Sequence, residues 1–300
     1  MSRRHLTMLL VLAALWGASF MFIKIGDREL DPLTLVGFRM ALGALTLVPI
    51  VAVTVGVRRT LRELRAAAGP LIVIGLVNSA IPIYAISWAE TRIDSGLTAI
   101  LQASAPLFTA LLAMRFSQDE RVGRLRLVGL FIGFGGVALL VGAQPQGEIV
   151  AGLAVVFSAL CYAAAALYSK RVREVSPLVT ALGALTVATL ATLPPGLFRL
   201  PDHAPGWKVT ASVLTLGIAG TGLAYILYYG LLAGAGASRS ILITYLVPTF
   251  ALVYGAVLLG EPVTAAAIGG LALVLAGVAL GTGGIRLRRR RGRIGSLEEA

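Results

Sequence analysis

The sequence predicts an all-α integral membrane protein whose ten transmembrane helices form two inverted five-helix repeats around a central cavity. Three observations predict this fold class. Hydrophobic residues make up 57% of the 300 residues and charged residues only 13%, whereas about a quarter of a typical soluble domain is charged. Ten apolar segments of membrane-spanning length follow one another along the chain. A polar motif that contains proline occurs in the fourth segment and returns in the ninth.

The ten apolar segments are separated by short connections rich in proline, glycine or charge. A β-barrel strand would be about half as long and would alternate in polarity. Because every backbone amide in hydrocarbon needs an internal partner, we expect each segment to be a helix. The first segment resembles a signal peptide, but it continues to Ile25 and is long enough to span, so we expect an uncleaved helix. The segments cover approximately residues 6–25, 33–55, 70–89, 95–114, 125–143, 149–168, 177–198, 211–233, 240–259 and 263–285.

Two segments begin with a helix-start signal. Asp31-Pro32 precedes the second segment and Ser176-Pro177 the seventh, with proline placed where a first-turn N–H would lack a partner anyway. The stretch GAQPQG, residues 142–147, is the predicted joint between the two halves. We therefore divide the chain into a first five-helix repeat over 1–145, a second over 146–287, and a basic cytoplasmic tail over 288–300.

The distribution of charge predicts a membrane protein and argues against a nucleic-acid partner. The formal net charge is +12, but the basic residues lie in short loops and at the chain ends, with no basic helix carrying interleaved aromatics. Alternating the loops between two sides places 20 of the 26 Lys and Arg residues on the side of the termini and five on the other. Because cytoplasmic loops carry the basic excess, we expect an even number of spans in a bacterial cytoplasmic (inner) membrane with both termini cytoplasmic.

Cysteine and histidine content argues against disulfides, metal clusters and bound cofactors. Cys161 is the single cysteine, so an intrachain disulfide cannot form, and His5 and His203 are the two histidines. We predict no metal site and no cofactor. We also predict no catalytic residues and no enzymatic activity, because a nucleophile or a pair of carboxylates at the membrane face is missing from the pattern.

The two halves repeat one another at a fixed offset. Counting 142 residues forward from Pro106 reaches Pro248, and from Gln102 reaches Thr244. Each copy is followed by an acidic turn and a glycine-rich run that ends in Gly-Val-Ala-Leu. Five spans in each half is an odd number, so the second copy crosses the membrane in the opposite direction. Inverted repeats of this kind suit alternating access.

These motifs, taken in order, resemble a known family. They are Leu15-Trp16-Gly17-Ala18-Ser19-Phe20 with Lys24, Phe38-Arg39, Ala105-Pro106-Leu107-Phe108, Gly129, Gly136-Val137, Val247-Pro248, Phe250, Gly260-Glu261-Pro262, Gly270 and Gly277-Val278. The chain resembles the drug/metabolite transporter superfamily, in its ten-helix EamA branch, and within it the amino-acid and metabolite exporters. The resemblance implies a carrier with a central cavity and with helices 5 and 10 more peripheral. One departure is that the first acidic turn is doubled, Asp119-Glu120, so its match to Glu261 depends on a gap.

Polar side chains near mid-span are the candidates for substrate contact, because a polar group in the membrane is costly unless it faces protein or a water-filled cavity. For each Ser or Thr the alternative is a hydrogen bond to its own helix, and Tyr228 and Trp88 could instead be interfacial aromatics. The amides of Asn78 and Gln102 need several partners, which one helix does not supply. The predicted cavity residues are Trp16, Ser19, Asn78, Tyr84, Trp88, Thr98, Gln102, Ser158, Tyr162, Thr221, Tyr225, Tyr228, Thr244 and Tyr245.

Prolines and one arginine complete the predicted site. Pro82, Pro106 and Pro248 each remove a backbone hydrogen bond inside a span, so we predict kinks with gating flexibility nearby. Arg39 is the one strong charge inside a span. We interpret it as a snorkelling or carbonyl-capping arginine near the outer end of helix 2; binding of a substrate carboxylate is the alternative.

The function predicted from this pattern is export of small metabolites, above all amino acids including aromatic ones, by alternating access. The required partners are a small-molecule substrate and the lipid bilayer, and the oligomeric state stays open, a monomer included. Acidic residues fall in loops or at span ends, so we expect facilitated diffusion or weak proton linkage. The alternatives are a multidrug or cationic-compound exporter of the same family and, in a different class, an integral-membrane enzyme or a channel.

Overall fold

A computed structural model describes residues 2–116, 124–144, 146–172 and 174–281. Within these ranges eight helices are long and apolar enough to cross a membrane, and two more apolar helices are shorter. They agree with the ten predicted segments to within a few residues. The helices are α1 (Arg3–Gly26), α2 (Pro32–Thr54), α3 (Ala68–Glu90), α4 (Ser95–Arg115), α5 (Arg124–Gly142), α6 (Glu148–Val172), α7 (Pro177–Leu197), α8 (Trp207–Ala235), α9 (Ile243–Leu259) and α10 (Ala265–Gly281).

Successive helices run in alternating directions, so their ends lie at two faces. The start of α1 and the end of α10 lie at one face, which we call the terminal face; we call the opposite one the distal face. At each face, contacts between loops link neighbouring helices. At the distal face Arg199 donates to Asp31 at 3.2 Å, and at the terminal face the backbone N–H of Ser176 donates to Glu63 at 2.9 Å.

Local sequence signals fix several helix ends. The side chain of Asp31 accepts a hydrogen bond from the N–H of Leu33 at 2.9 Å, and Pro32 occupies the first helical position. Gly56 follows α2 with φ of 89°, a value that glycine adopts without a steric penalty. This turn directs the chain into the short basic helix Val57–Ala66, which then leads into α3.

The packing of the helices is that of an inverted repeat. Helix α1 packs against α8 and α9, and its counterpart α6 packs against α3 and α4. Helix α2 packs against α7, α4 against α9 and α5 against α10, so each of these pairs joins equivalent helices of the two repeats. Exchanging the repeats therefore reproduces these pairings. Helices α1–α4 and α6–α9 surround the centre of the molecule, and the α5–α10 pair lies to one side.

Glycine brings α5 and α10 into backbone contact. A Cβ atom added at Gly277 would lie 2.3 Å from the Cα atom of Gly133, and one added at Gly129 would lie 2.4 Å from the backbone nitrogen of Gly281. In a membrane, helices associate mainly through close packing, because lipid tails are as apolar as the side chains. This seam therefore holds the two repeats together at the side of the molecule.

Candidate functional site

The two faces differ in how closely the helices approach one another. At the distal face α1 packs against the distal halves of α3 and α4, and α4 packs against α9. Repeat symmetry would pair α6 with the terminal halves of α8 and α9, and the terminal half of α4 with α9. Among the described residues those pairs lack the extended packing that joins their counterparts at the distal face. We call the region between α4 and α6 on one side and α8 and α9 on the other the terminal vestibule.

The distal face is closed by hydrogen bonds to Glu261, at the end of α9. Its carboxylate accepts from the N–H of Ser95 at 2.9 Å, from the Ser95 hydroxyl at 2.8 Å and from the N–H of Gly96 at 3.2 Å. These donors belong to the first turn of α4, where unpaired N–H groups and the helix dipole favour an anion. We call these contacts the distal latch.

Two further polar contacts lie beside the distal latch. The ammonium group of Lys24 donates to the carbonyl oxygens of Glu90 and Ile93, at the end of α3. The Ser87 hydroxyl donates to the Asp27 carboxylate at 2.8 Å. Burial raises the pKa of the Asp27 carboxyl to about 8, although the hydrogen bond from Ser87 and the charge of Lys24 act to lower it. The distal closure thus contains a carboxyl that favours its protonated form.

A cluster of polar side chains lies between α2, α3, α6 and α8. Arg39 is 8% exposed, and its Nε donates to the hydroxyl of Thr221 at 3.1 Å. The phenol groups of Tyr162 and Tyr225 are close enough to interact with the guanidinium charge, and Asn78 lies beside the Tyr225 hydroxyl. We call these five residues the central polar cluster. Four of the five were predicted as cavity residues.

Local helix geometry positions the central polar cluster. Asn78 lies in a π-helical turn, Leu76–Ala80, in the middle of α3. Thr221 lies in a π-helical turn, Ile218–Leu223, at the related position of α8. A π-helical turn inserts one residue into an α-helix and often occurs at functional sites. The inserted residue turns a polar side chain toward the centre without ending the helix.

Gln102 and Ser158 form a second polar contact at the centre. The Ser158 hydroxyl donates to the Gln102 side-chain oxygen at 3.0 Å and so joins α4 to α6. Two other predicted residues bond within their own helices, which was the stated alternative for Ser and Thr. The hydroxyl of Ser19 donates to the Leu15 carbonyl and that of Thr98 to the Asp94 carbonyl, each at 3.0 Å.

Aromatic rings line the α1–α8 side of the centre. The ring centroids of Trp16 and Tyr228 are 5.5 Å apart, and those of Tyr225 and Tyr229 are 6.0 Å apart with nearly parallel planes. Such separations are typical of favourable aromatic pairs. We call these four rings the aromatic strip. It extends from Trp16, near the middle of α1, to Tyr225 in the central polar cluster.

Tyr84 and Trp88 lie elsewhere. They line a groove of about 310 Å³ between α3 and α6 together with Phe157, whose side chain is 52% exposed. Arg92 also stacks on the Trp88 ring at 4.0 Å. The structure thus places both side chains in this groove and not in the central polar cluster with Asn78, from which they are separated by six and ten positions along α3. Their role in substrate binding stays a prediction.

Thr244 and Tyr245 lie at the start of α9, beside the terminal vestibule. Both are partly buried. The Tyr245 ring reaches the apolar cluster formed by α4, α5 and α10, so it crosses part of the gap between α9 and α4. Their role in substrate binding stays a prediction, as it does for the other cavity residues.

Each predicted proline coincides with an irregular or interior position. Pro82 follows the π-helical turn Leu76–Ala80, Pro106 follows a break at Ala103–Ser104, and Pro248 is buried inside α9. Because proline has no N–H, the carbonyl four residues earlier loses its usual donor. These carbonyls belong to Asn78, Gln102 and Thr244. The spacing that would have revealed this is visible in the sequence.

The position of Arg39 corrects an interpretation made from the sequence. A snorkelling arginine would place its guanidinium at the membrane surface, and a capping arginine would donate to helix-end carbonyls. The structure instead buries Arg39 against the Thr221 side chain. The sequence signal was its position as the one strong charge inside a span. Metal ligands are not grouped here: within the described residues, no three His, Cys, Asp or Glu side chains lie together.

Comparison with known proteins identifies the family. A model of the EamA-like transporter family matches residues 4–142 and again 149–282, once in each repeat. The chain belongs to the EamA-like transporter family. The two matches account for the internal repeat, and this EamA-like protein is accordingly a multi-pass membrane transporter.

Relatives of this EamA-like transporter carry names that describe transport. It is 29% identical to a "Probable amino-acid metabolite efflux pump" of Salmonella typhimurium over 96% of this chain and 98% of that protein. It is 28% identical to a "Probable terminal-alkyne amino-acid exporter" of Streptantibioticus cattleyicolor over 88% and 89%. A crystal structure with 18% identity matches 94% of this chain and 98% of its own, with a TM-score of 0.65, which shows the fold.

Proposed function

We propose that this EamA-like transporter exports amino acids, aromatic ones included, across the cytoplasmic membrane by alternating access. The observation that carries the proposal is the unequal closure of two equivalent repeats. The distal face is closed by the distal latch, while the equivalent pairs at the terminal face stand apart. Exchanging the conformations of the repeats would close the terminal face and open the distal one.

The charge distribution supports a cytoplasmic location for the terminal face. With both termini on that face, 20 of the 26 basic residues lie on its side. The terminal vestibule then opens to the cytoplasm. A transporter that exports would take up its substrate from this side.

The residues at the centre support an amino acid as the substrate. The aromatic strip provides apolar ring surface, and the amides, hydroxyls and guanidinium provide hydrogen-bonding groups for a polar backbone. Two relatives are named for amino-acid export or efflux. An amino acid matches both parts, because its side chain can contact the rings and its zwitterionic end can bond to the polar groups.

A cationic-drug exporter is the alternative within the family. The buried guanidinium of Arg39 disfavours it, because like charges at short range repel strongly in a medium of low dielectric constant. An enzyme or a channel is the alternative from a different class. Counterflow separates a carrier from both, because exchange of labelled for unlabelled substrate requires a site that alternates between two sides.

The test is counterflow into liposomes that contain the purified protein. Vesicles preloaded with an unlabelled amino acid should transiently accumulate the same amino acid in labelled form. Vesicles preloaded with an unlabelled cationic dye should not accumulate the labelled dye. The panel should contain aromatic, aliphatic and charged amino acids. Counterflow of cationic dyes alone would support the alternative exporter, and no counterflow of any compound would contradict a carrier.

Variants connect the activity to the centre of the molecule. Asn78→Ala and Gln102→Ala should each reduce counterflow by about 10-fold, as expected for a lost hydrogen bond to a charged group. Thr215→Ala is the matched control, because Thr215 is partly exposed on α8 and its hydroxyl donates to the Ala211 carbonyl of its own helix. Unchanged kinetics in both Asn78→Ala and Gln102→Ala would remove these residues from the substrate path.

A further inference from the structure

Arg39 is a buried cation that forms no ion pair with the described residues. Its side chain is enclosed by α2 and its neighbours, and its one hydrogen bond in the described chain goes to Thr221, a neutral hydroxyl. No carboxylate of the described residues lies within ion-pair distance of the guanidinium. An uncompensated charge at this depth is costly, and such residues usually mark a substrate or ion pathway.

The free side of the guanidinium is not fully enclosed by protein. Its two terminal nitrogens form no hydrogen bond within the described residues. Neither nitrogen is completely enclosed by protein atoms. Nε is held by Thr221, which fixes the orientation of the planar group. The paired terminal nitrogens are therefore available to a ligand.

Among the described residues, Glu90 is the acidic side chain that influences Arg39 electrostatically, but it forms no ion pair with the guanidinium. Both of its carboxyl oxygens are buried without a hydrogen-bond partner. Lys24 bonds the main-chain carbonyl of Glu90, not its carboxylate. A ligand anion would thus meet a cation that forms no ion pair with the part of the chain that the structure describes.

We propose that Arg39 is the carboxylate anchor of the substrate site. The planar guanidinium presents two parallel N–H groups that match the two oxygens of a carboxylate. Tyr162 and Tyr225 lie beside the same charge and can donate from their hydroxyls or contact a substrate side chain. The inference rests on the proposed function and narrows it: the substrate class is solutes with a free carboxylate, and decarboxylated amines are excluded.

The first experiment uses the unmodified protein. Unlabelled L-phenylalanine, 3-phenylpropionate and phenethylamine compete with labelled L-phenylalanine in counterflow. Phenethylamine should compete about 10- to 100-fold more weakly than phenylalanine, the loss expected for a hydrogen-bonded charge pair, and 3-phenylpropionate should remain a competitor. Equal competition by phenethylamine would overturn the anchor.

The second experiment uses variants. Arg39→Gln should lose phenylalanine counterflow, and Arg39→Lys should raise KM, because a lysine keeps the charge but not the two parallel donors. Arg28→Gln, an exposed arginine at the distal face, is the matched control. Wild-type kinetics in Arg39→Gln would overturn the proposal. If Arg39→Gln does not fold, Thr221→Val should raise KM several-fold by releasing the guanidinium, and an unchanged KM there would equally overturn it.

The two proposals fail in different ways. If no amino acid shows counterflow, the proposed function is wrong, and the anchor is then judged by thermal stabilisation of the wild-type protein. In that case 3-phenylpropionate should raise the melting temperature and phenethylamine should not, and the difference should be smaller in Arg39→Lys, which keeps the charge but not the two parallel donors. Equal shifts by both compounds would contradict the anchor.

Discussion

At the distal face the first turn of α4 meets the end of α9, whereas at the terminal face the start of α9 and the end of α4 stand apart. Counting 142 residues forward from Ser95 and Gly96 reaches Ala237 and Ser238. The hydroxyl that donates to Glu261 therefore has no equivalent in the other repeat. The acidic turn that would serve that end, Asp119-Glu120, lies outside the described residues. The comparison indicates that the closed distal end combines helix packing with hydrogen bonds to Glu261.

Removing the Glu261 carboxylate should open the distal face more than any other change described below. Glu261→Ala deletes the acceptor of three hydrogen bonds, two of them from backbone N–H groups of α4. We expect labelling of a cysteine at position 99, buried one turn below the distal latch, to become at least about 10-fold faster. The measurement uses a membrane-impermeant thiol reagent in a Cys161→Ser background.

Glu29→Ala provides the matched control for Glu261→Ala. Glu29 also accepts from a backbone N–H at a helix start, that of Gly206 at 2.7 Å, but it connects α1 to α8, which pack together along both halves. Labelling at position 99 should stay at the wild-type rate in Glu29→Ala. An equal increase in both variants would mean that the distal latch has no special role.

Lys24→Met tests the contact on the other side of the distal closure. The substitution keeps the apolar stem but removes two hydrogen bonds to carbonyls at the end of α3. A cation at a helix C-terminus contributes up to about 2 kcal/mol when partly buried, so we expect labelling at position 99 to rise by about 3- to 10-fold. A labelling rate identical to that of the wild-type protein would assign the closure to Glu261 alone.

Asp27 should make the distal closure depend on pH. Its pKa is about 8 in this closed state because burial opposes the charged form, against 3.8 for a hydrated aspartate. A raised carboxyl pKa means that the closed state binds the proton more tightly. The stabilisation is therefore complete below about pH 4, decreases as the pH rises, and is lost above about pH 8.

The pH prediction is measured with Asp27→Asn. The ratio of labelling rates at position 99, wild type over Asp27→Asn, should rise as the pH is increased from about 6 to about 9, because the variant has no group to ionise. Using the ratio cancels the pH dependence of the thiol itself. A flat ratio would show that Asp27 does not titrate with the closure.

Ser95→Ala should have the smallest effect and sharpens the comparison directly. It gives the distal end the residue that the terminal end carries at the equivalent position, Ala237. The two backbone donors to Glu261 remain, so only one hydrogen bond is lost. We expect about a 2- to 5-fold increase in labelling at position 99. An increase as large as that of Glu261→Ala would mean that the hydroxyl, and not the helix start, holds the carboxylate.

Most of the fold could be predicted because it follows from hydropathy and from the repeat. Segment length and loop charge determine the number and direction of the spans. The start of α9 was less predictable: predicted segment 240–259 begins with a separate short helix, Ala237–Ser240, and α9 itself starts at Ile243. The hydroxyl of Ser240 donates to the backbone carbonyl of Gly236, and such local bonds compete with a continuous helix. The apolar pattern of the segment does not reveal this interruption.

The site was predictable as a set of residues but not as an arrangement. Gln102 and Ser158 were both predicted, yet their hydrogen bond requires the packing of α4 on α6, which no local pattern specifies. Tyr84 and Trp88 were grouped with Asn78 because they share a helix. Proline marks the irregular turn in α3 but does not reveal the extra residue that rotates the second half of the helix relative to the first.

The glycine contacts between α5 and α10 have a consequence for how such a chain can change. A methyl group on Gly277 would meet the backbone of Gly133 and Gly129, so it would have no room unless α5 moved as a whole. A methyl group on Gly133 would instead meet the side chain of Leu107, which can adjust, so the constraint is strict at Gly277. The packing of the two repeats therefore depends on this glycine. A homologue with alanine at that position must also have a larger separation between α5 and α10.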